Sequence, residues 1–251
     1  MPPLSFDACL AHIDAQSLAL AAAAAAAAAS AQVPSCPDWT VWDLVEHHGQ
    51  VLRGWAGACR LADPSSPPPW MTGGPRTWAG PDDDLFGWYD ASRETLLRTL
   101  LDVGPQGPAW TWWGEPATAG AIARHQVQEA CVHRWDAQSA AGQAGDALPG
   151  DAAADGVAEF LTVPLVADAP TWTGPDTTVL LVPDTGSPWL LRGGEGAITA
   201  TPADPAASAD AVITSSASDM VLLLYSRIAA TSLSLIGDEA AAVRLLTDAG
   251  A

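Results

Sequence analysis

Near residue 145 the chain changes character, and this break limits its possible folds more than any other feature of the sequence. Before it, apolar residues recur at three- and four-residue spacing, the period of helices with one buried face. After it, short β-branched runs alternate with turns rich in Gly and Pro, which is a strand pattern. We read residues 1–145 as a helical domain and residues 150–251 as a smaller α+β domain. With 251 residues, 49% of them apolar, the chain can bury a substantial core.

Four helices are predicted in the first half. The first covers residues 5–31 and ends before Pro34. It contains an almost pure alanine run, residues 18–31. Alanine is the best helix former, and the run is shorter than the roughly 18 residues of a membrane span and lacks a basic flank. The second helix opens at Pro37-Asp38-Trp39-Thr40, where Asp38 or Thr40 can cap free amide groups. It continues through Val41, Leu44, Val45, His48, Leu52 and Trp55 on one face. Residues 63–81, rich in Pro, Gly and Ser, form a long irregular loop of the kind that often acts as a lid. A third helix spans residues 82–103, with acids in its first turn. A second loop, residues 104–116, carries Trp110, Trp112 and Trp113, and the fourth helix covers residues 118–141 before Gly142.

Behind the break, residues 142–155 read as a Gly/Asp/Ala-rich linker and residues 156–167 as a short helix. Strands are expected at residues 177–183, 188–192, 197–201 and 211–214, with Gly193-Gly194-Glu195-Gly196 as a hairpin turn. Helices at residues 219–230 and 238–247 flank a strand at 231–236. No internal repeat is visible.

The charge excludes several partners. The formal net charge is −19, from 29 acids and 10 basic residues that are all Arg, and both halves are acidic. Phosphate backbones and anionic lipid would repel such a surface, so neither nucleic acid nor a membrane is an expected partner. Cys9, Cys36, Cys59 and Cys131 form no CxxC pair, which argues against a disulfide framework and a cysteine zinc site. They read as reduced thiols in a cytoplasmic protein. No Ser-His-Asp order, phosphate loop or dinucleotide fingerprint is present.

The candidate chemistry lies in Glu129-Ala-Cys-Val-His133. Residues four apart on a helix stand over one another, about 5–6 Å between β carbons, so this carboxylate and imidazole can share one metal ion. Asp136, three residues further on nearly the same face, can accept a hydrogen bond from the ring nitrogen the metal does not use. Helix two offers a third donor in His47 or His48. These adjacent side chains point about 100° apart, so only one can readily join a shared site, and spacing leaves the choice open. Helical bundles do build metal sites from facing helices, and three protein ligands leave the open position typical of catalytic zinc.

Cys36-Pro37-Asp38-Trp39-Thr40-Val41-Trp42-Asp43-Leu44-Val45-Glu46-His47 resembles the opening signature of the mycothiol-dependent maleylpyruvate isomerase family, and Glu129-Ala-Cys-Val-His133-Arg134-Trp135-Asp136-Ala137 resembles its second. The stretch from Val179 to Arg192 and that from Ser218 to Arg227 are similar to the family's C-terminal domain. The resemblance implies a DinB-like four-helix bundle followed by a small α+β domain. It implies metal ligands at His47, Glu129 and His133, selecting His47 over His48. It also makes Arg227 the best match to an arginine that assists the family's reaction, where a guanidinium can bind a substrate carboxylate. His125 and Gln128 depart from the family, whose members more often carry Arg and His there.

The expected protein is a metal-dependent enzyme, holding Zn2+ or another divalent ion, that uses mycothiol to isomerise a small electrophile or to transfer sulfur onto it. It would be a monomer or homodimer. Two alternatives keep the scaffold. One is a thiol-independent metal enzyme of secondary metabolism; the other is a small-molecule binding protein.

Overall fold

The computed structural model describes residues 2–250. It divides into two compact units, residues 4–146 and residues 147–250 joined by residues 2 and 3. The first is a four-helix bundle of α1 (Phe6–Ala26), α2 (Val41–Leu61), α3 (Leu85–Val103) and α4 (Ala119–Ala140). Helix α1 packs chiefly on α4 and α2 on α3, while α2 also meets α4. The fully buried side chains include Ile13, Leu20, Leu44, Leu52, Leu96, Leu100 and Ile122.

Helix α1 stops five residues before its expected end, because the chain is needed elsewhere. Residues Gln32–Val33 (β1) pair antiparallel with Cys36–Thr40 (β2) in a small hairpin that the sequence pattern did not predict. The residues before the hairpin complete the start of α2. Val41 and Trp42 donate their amides to the carbonyls of Ala31 (2.9 Å) and Ala29 (3.0 Å). The Asp43 amide donates to Thr40 Oγ1, and the Thr40 amide donates back to Asp43 Oδ2 at 2.8 Å, a capping box. Three amides that a helix start leaves orphaned thus find acceptors. Counted from Phe6, α1 reaches 21 residues and by length and composition alone is long and apolar enough to cross a membrane. In the structure Cys9, Ile13, Leu20 and Ala24 are buried within the bundle.

The second unit is α+β. A five-stranded mixed sheet has the order β5-β4-β3-β6-β7, built from β3 (Thr177–Pro183), β4 (Trp189–Gly194), β5 (Ala197–Pro202), β6 (Ala211–Ser215) and β7 (Ser234–Gly237). Strand β3 runs parallel to β6, and every other pairing is antiparallel. Gly194 pairs with Ala197 across a two-residue turn in which Glu195 and Gly196 both take positive φ, the geometry that matches strand twist.

The helices of this unit differ from expectation at two ends. The segment read as a linker is helical from Gly150: α5 (Gly150–Thr162) buries Ala152, Ala153 and Ala154, and Val163 separates it from α6 (Pro164–Asp168), which Pro164 opens. Three strong helix formers with a core to face outweigh the Gly and Asp around them. Helix α7 (Ala217–Leu224) ends six residues early. Ser226, at φ 59°, turns the chain so that the amides of Ser226 and Arg227 bond the carbonyls of Leu223 (2.9 Å) and Leu222 (2.7 Å), a Schellman ending. Helix α8 (Glu239–Asp248) follows as expected.

Gly49 of α2 lies against Trp88 of α3. A β carbon there would run into the Trp88 indole, which is held by its bond to the Ala79 carbonyl at 2.8 Å and by Arg53 5.3 Å above the ring. In an open helix Gly→Ala gains about 1 kcal/mol, whereas overpacking costs about 1–3 kcal/mol. Gly49→Ala is therefore expected to lower stability by about 1 kcal/mol, read as a lower urea midpoint. Gly54→Ala, whose new atom would meet Trp70 at an ordinary 3.6 Å, should leave the midpoint unchanged or raise it.

Candidate metal centre

The fixed start of α2 places His47 on the side of that helix nearest α4, where Glu129 and His133 stand one turn apart. One donor atom from each of the three lies within 4.8 Å of the other two. His133 Nε2 is 3.5 Å from Glu129 Oε2, and the His47 and His133 rings meet edge to face with centroids 5.3 Å apart. Trp39, carried on β2, covers the pair at 4.5 Å from His47 and 6.1 Å from His133.

His48 points elsewhere. Its Nδ1 is 2.8 Å from the Tyr89 hydroxyl, which itself donates to the Ser17 carbonyl at 3.3 Å. The ring therefore ties α2 to α3 and α1. Burial, helped by the charge at His133, drives its pKa down to about 3, so it stays neutral. The ring sits on the apolar stripe with its Nε2 buried and without a hydrogen-bond partner among the described residues, 5.8 Å from the His133 ring between centroids.

A chain of hydrogen bonds orients His133. Its Nδ1 lies 2.9 Å from Asp136 Oδ2, and Ser35 Oγ donates to Asp136 Oδ1 at 2.5 Å. With Nδ1 engaged, Nε2 is left to face Glu129 and His47. Such carboxylate–histidine pairs fix the tautomer of a metal-binding imidazole. Burial opposes charge on both Glu129 and His133, but each outweighs it through the other. Bonds to Asp136 and Glu129 raise the His133 pKa to about 9, and His133, with His125, holds Glu129 well below the usual carboxylate range. Two imidazoles and a carboxylate are a fitting donor set for zinc and similar divalent ions. The raised pKa favours a proton on His133 near neutral pH, a positive charge where a divalent ion would otherwise supply one.

A cavity of ≈ 360 Å³ adjoins these residues and has His47, Glu129 and His125 in its lining. His125 Nε2 is 3.8 Å from Glu129 Oε1, and its ring packs against Trp113 at 5.0 Å and Trp112 at 5.9 Å. Of the loop tryptophans, Trp110 and Trp112 line the cavity, while Trp113 backs Trp55 and His125. The 63–81 loop adds Trp70, Met71, Arg76 and Trp78. The sequence reading did not single these out, nor Ser35. The available signal was Gly57 within α2, where a β carbon would come 2.7 Å from the Trp70 ring.

Arg227 belongs to the other compact unit. It follows the α7 ending, donates from Nη1 to the Tyr225 carbonyl at 2.7 Å, and lines a separate cavity of ≈ 350 Å³ with Leu223, Ile228 and Leu246.

Comparison with known proteins agrees with this architecture. No curated protein matches the chain in sequence. Two crystal structures of mycothiol-dependent maleylpyruvate isomerase, one of them a histidine-to-alanine variant, superpose with TM-scores of 0.64 and 0.65. Each alignment covers 94% of this chain and 95% of the other, at 13% and 14% identity, which establishes a shared fold. The sequence profile described as mycothiol maleylpyruvate isomerase N-terminal domain matches residues 10–138. That match spans more than half of the sequence, and the chain belongs to the mycothiol maleylpyruvate isomerase family.

Proposed function

We propose that this protein is a cytoplasmic metal-dependent enzyme that joins a low-molecular-weight thiol, mycothiol on the family's precedent, to a small electrophilic substrate. His47, Glu129 and His133 would hold Zn2+ or another divalent ion. The observation that carries the reading is their convergence from two helices at the edge of an aromatic cavity. A divalent ion there would lower the pKa of a thiol reaching it from the cavity and supply a thiolate near neutral pH. Isomerisation results if the thiol adds and leaves, and S-transfer if it stays.

The chain's own residues have separable parts in this scheme. Asp136 and Ser35 hold the His133 ring in one tautomer and one orientation. Trp39 covers the donors and lowers the local dielectric. Arg227 is proposed to assist the reaction, on the strength of its match to the family's assisting arginine.

The thiol reading is tested by thermal shift in protein loaded with zinc and in chelator-treated protein. Mycothiol should stabilise the loaded form, by about 2.7 kcal/mol at a hundred times its Kd, and leave the metal-free form unmoved. Equal shifts in both forms would contradict a thiol that needs the metal.

The donor electrostatics add a pH dependence. With the His133 pKa raised to about 9, the metal-free site carries a proton throughout the neutral range, and a metal must displace it. Zinc binding at pH 7.5 should release about one proton from His133, visible as a buffer-dependent binding enthalpy. Apparent affinity should fall about tenfold per unit as pH drops from 8.5 to 7. Affinity that does not change over this interval would contradict a proton held on His133 in the metal-free site.

A further inference from the structure

The cavity beside the three donors has a chemistry of its own, and its residues are mutually braced. Trp78 donates from Nε1 to Gln50 Oε1 on α2 and meets Trp70 edge to face at 5.1 Å. Trp70 lies over Gly57, whose missing β carbon gives the indole its seat. Trp112 rests on Trp113 at 5.4 Å. Because the indoles hold each other and α2, little side-chain freedom would be lost when a ligand enters.

The polar part of the lining consists of His47, His125 and Glu129 at the candidate metal centre, together with Gln50 and Arg76. Gln50 accepts from Trp78 through Oε1, which fixes its side chain against the indole. Arg76 is the only guanidinium in the lining, and it makes no ion pair among the described residues in a chain of 29 acids. Indole faces favour flat unsaturated groups, and a free guanidinium favours a carboxylate. The cavity, at ≈ 360 Å³, falls at the small end of the range for small-molecule sites.

We propose that this cavity takes a planar, aromatic or conjugated monocarboxylate, its flat part among Trp70, Trp78 and Trp112 and its carboxylate on Arg76. The inference rests on the reading above only in treating the occupant as the enzyme's acceptor; binding itself needs neither metal nor thiol.

The test uses tryptophan-fluorescence titration of the full chain, as purified and after chelation, with cinnamate, cinnamamide, cyclohexanecarboxylate and glucosamine as probes. Cinnamate is expected to bind at least tenfold tighter than each of the others, in both preparations. Arg76→Gln should reduce cinnamate binding about tenfold, to the level of cinnamamide, and leave cinnamamide unchanged. Trp70→Phe, a milder change at a braced position, should weaken cinnamate and cinnamamide in parallel. Equal binding of the two, tighter binding of glucosamine, or an Arg76→Gln protein that keeps its carboxylate preference would each overturn the proposal. A preference for cinnamate that disappears on chelation would also overturn it, since the anion would then sit on the metal. Failure of the thiol reading looks different: mycothiol shifts would be independent of metal while the cinnamate preference and its Arg76 dependence persist.

Discussion

The start of helix α2 is the constraint on which the candidate centre depends. Ala31 and Ala29 accept its first two amides, and the Thr40–Asp43 box satisfies the next. An N-cap of this kind contributes about 1 kcal/mol to stability, but its larger consequence is register. With Val41 fixed as the first helical residue, His47 and His48 are fixed in rotation. His48 turns to Tyr89 on α3, and His47 comes beside Glu129 and His133 of α4. The hairpin that supports this start also supplies Trp39 over the rings and lies next to Ser35, which holds Asp136.

The donors form an expensive cluster if stability alone is considered. Asp136 is fully buried and His133 nearly so, and a buried charge costs several kcal/mol unless it is paired. The chain meets that cost with a run of contacts, Ser35 to Asp136 at 2.5 Å, Asp136 to His133 at 2.9 Å and His133 to Glu129 at 3.5 Å, which together favour a proton on His133. A well-packed apolar cluster would be at least as stable there. Retaining two acids and an imidazole at this point is understandable if a divalent cation takes the proton's place.

Local rules made much of this legible. The Thr40 cap, the apolar face of α2 and the Glu129–His133 pair follow from helical period and capping chemistry, and strand β3 follows from its β-branched run. The choice between His47 and His48 was not legible from spacing, because it depends on which side of α2 each neighbouring helix occupies. The β1–β2 hairpin was hidden because two residues paired with five give too short a pattern, and a preceding alanine run reads as more helix. Helix α5 was hidden by its Gly and Asp content, although burial of Ala152 to Ala154 sets its fate. The loop that brings Trp70, Arg76 and Trp78 to the cavity has no period to read. Its Pro, Gly and Ser content marks residues 63–81 as a loop, but not which of its side chains reach the cavity.

The central claim is that His47, Glu129 and His133 together hold one divalent ion. Elemental analysis of the purified protein and of a His47→Ala variant, with a His48→Phe variant as control, addresses it most directly. The account predicts about one zinc or similar ion per chain, little or none in His47→Ala, and a full complement in whatever His48→Phe protein folds. Metal-free wild-type protein that takes up no ion on reconstitution, or a His47→Ala variant that keeps its full complement, would contradict it.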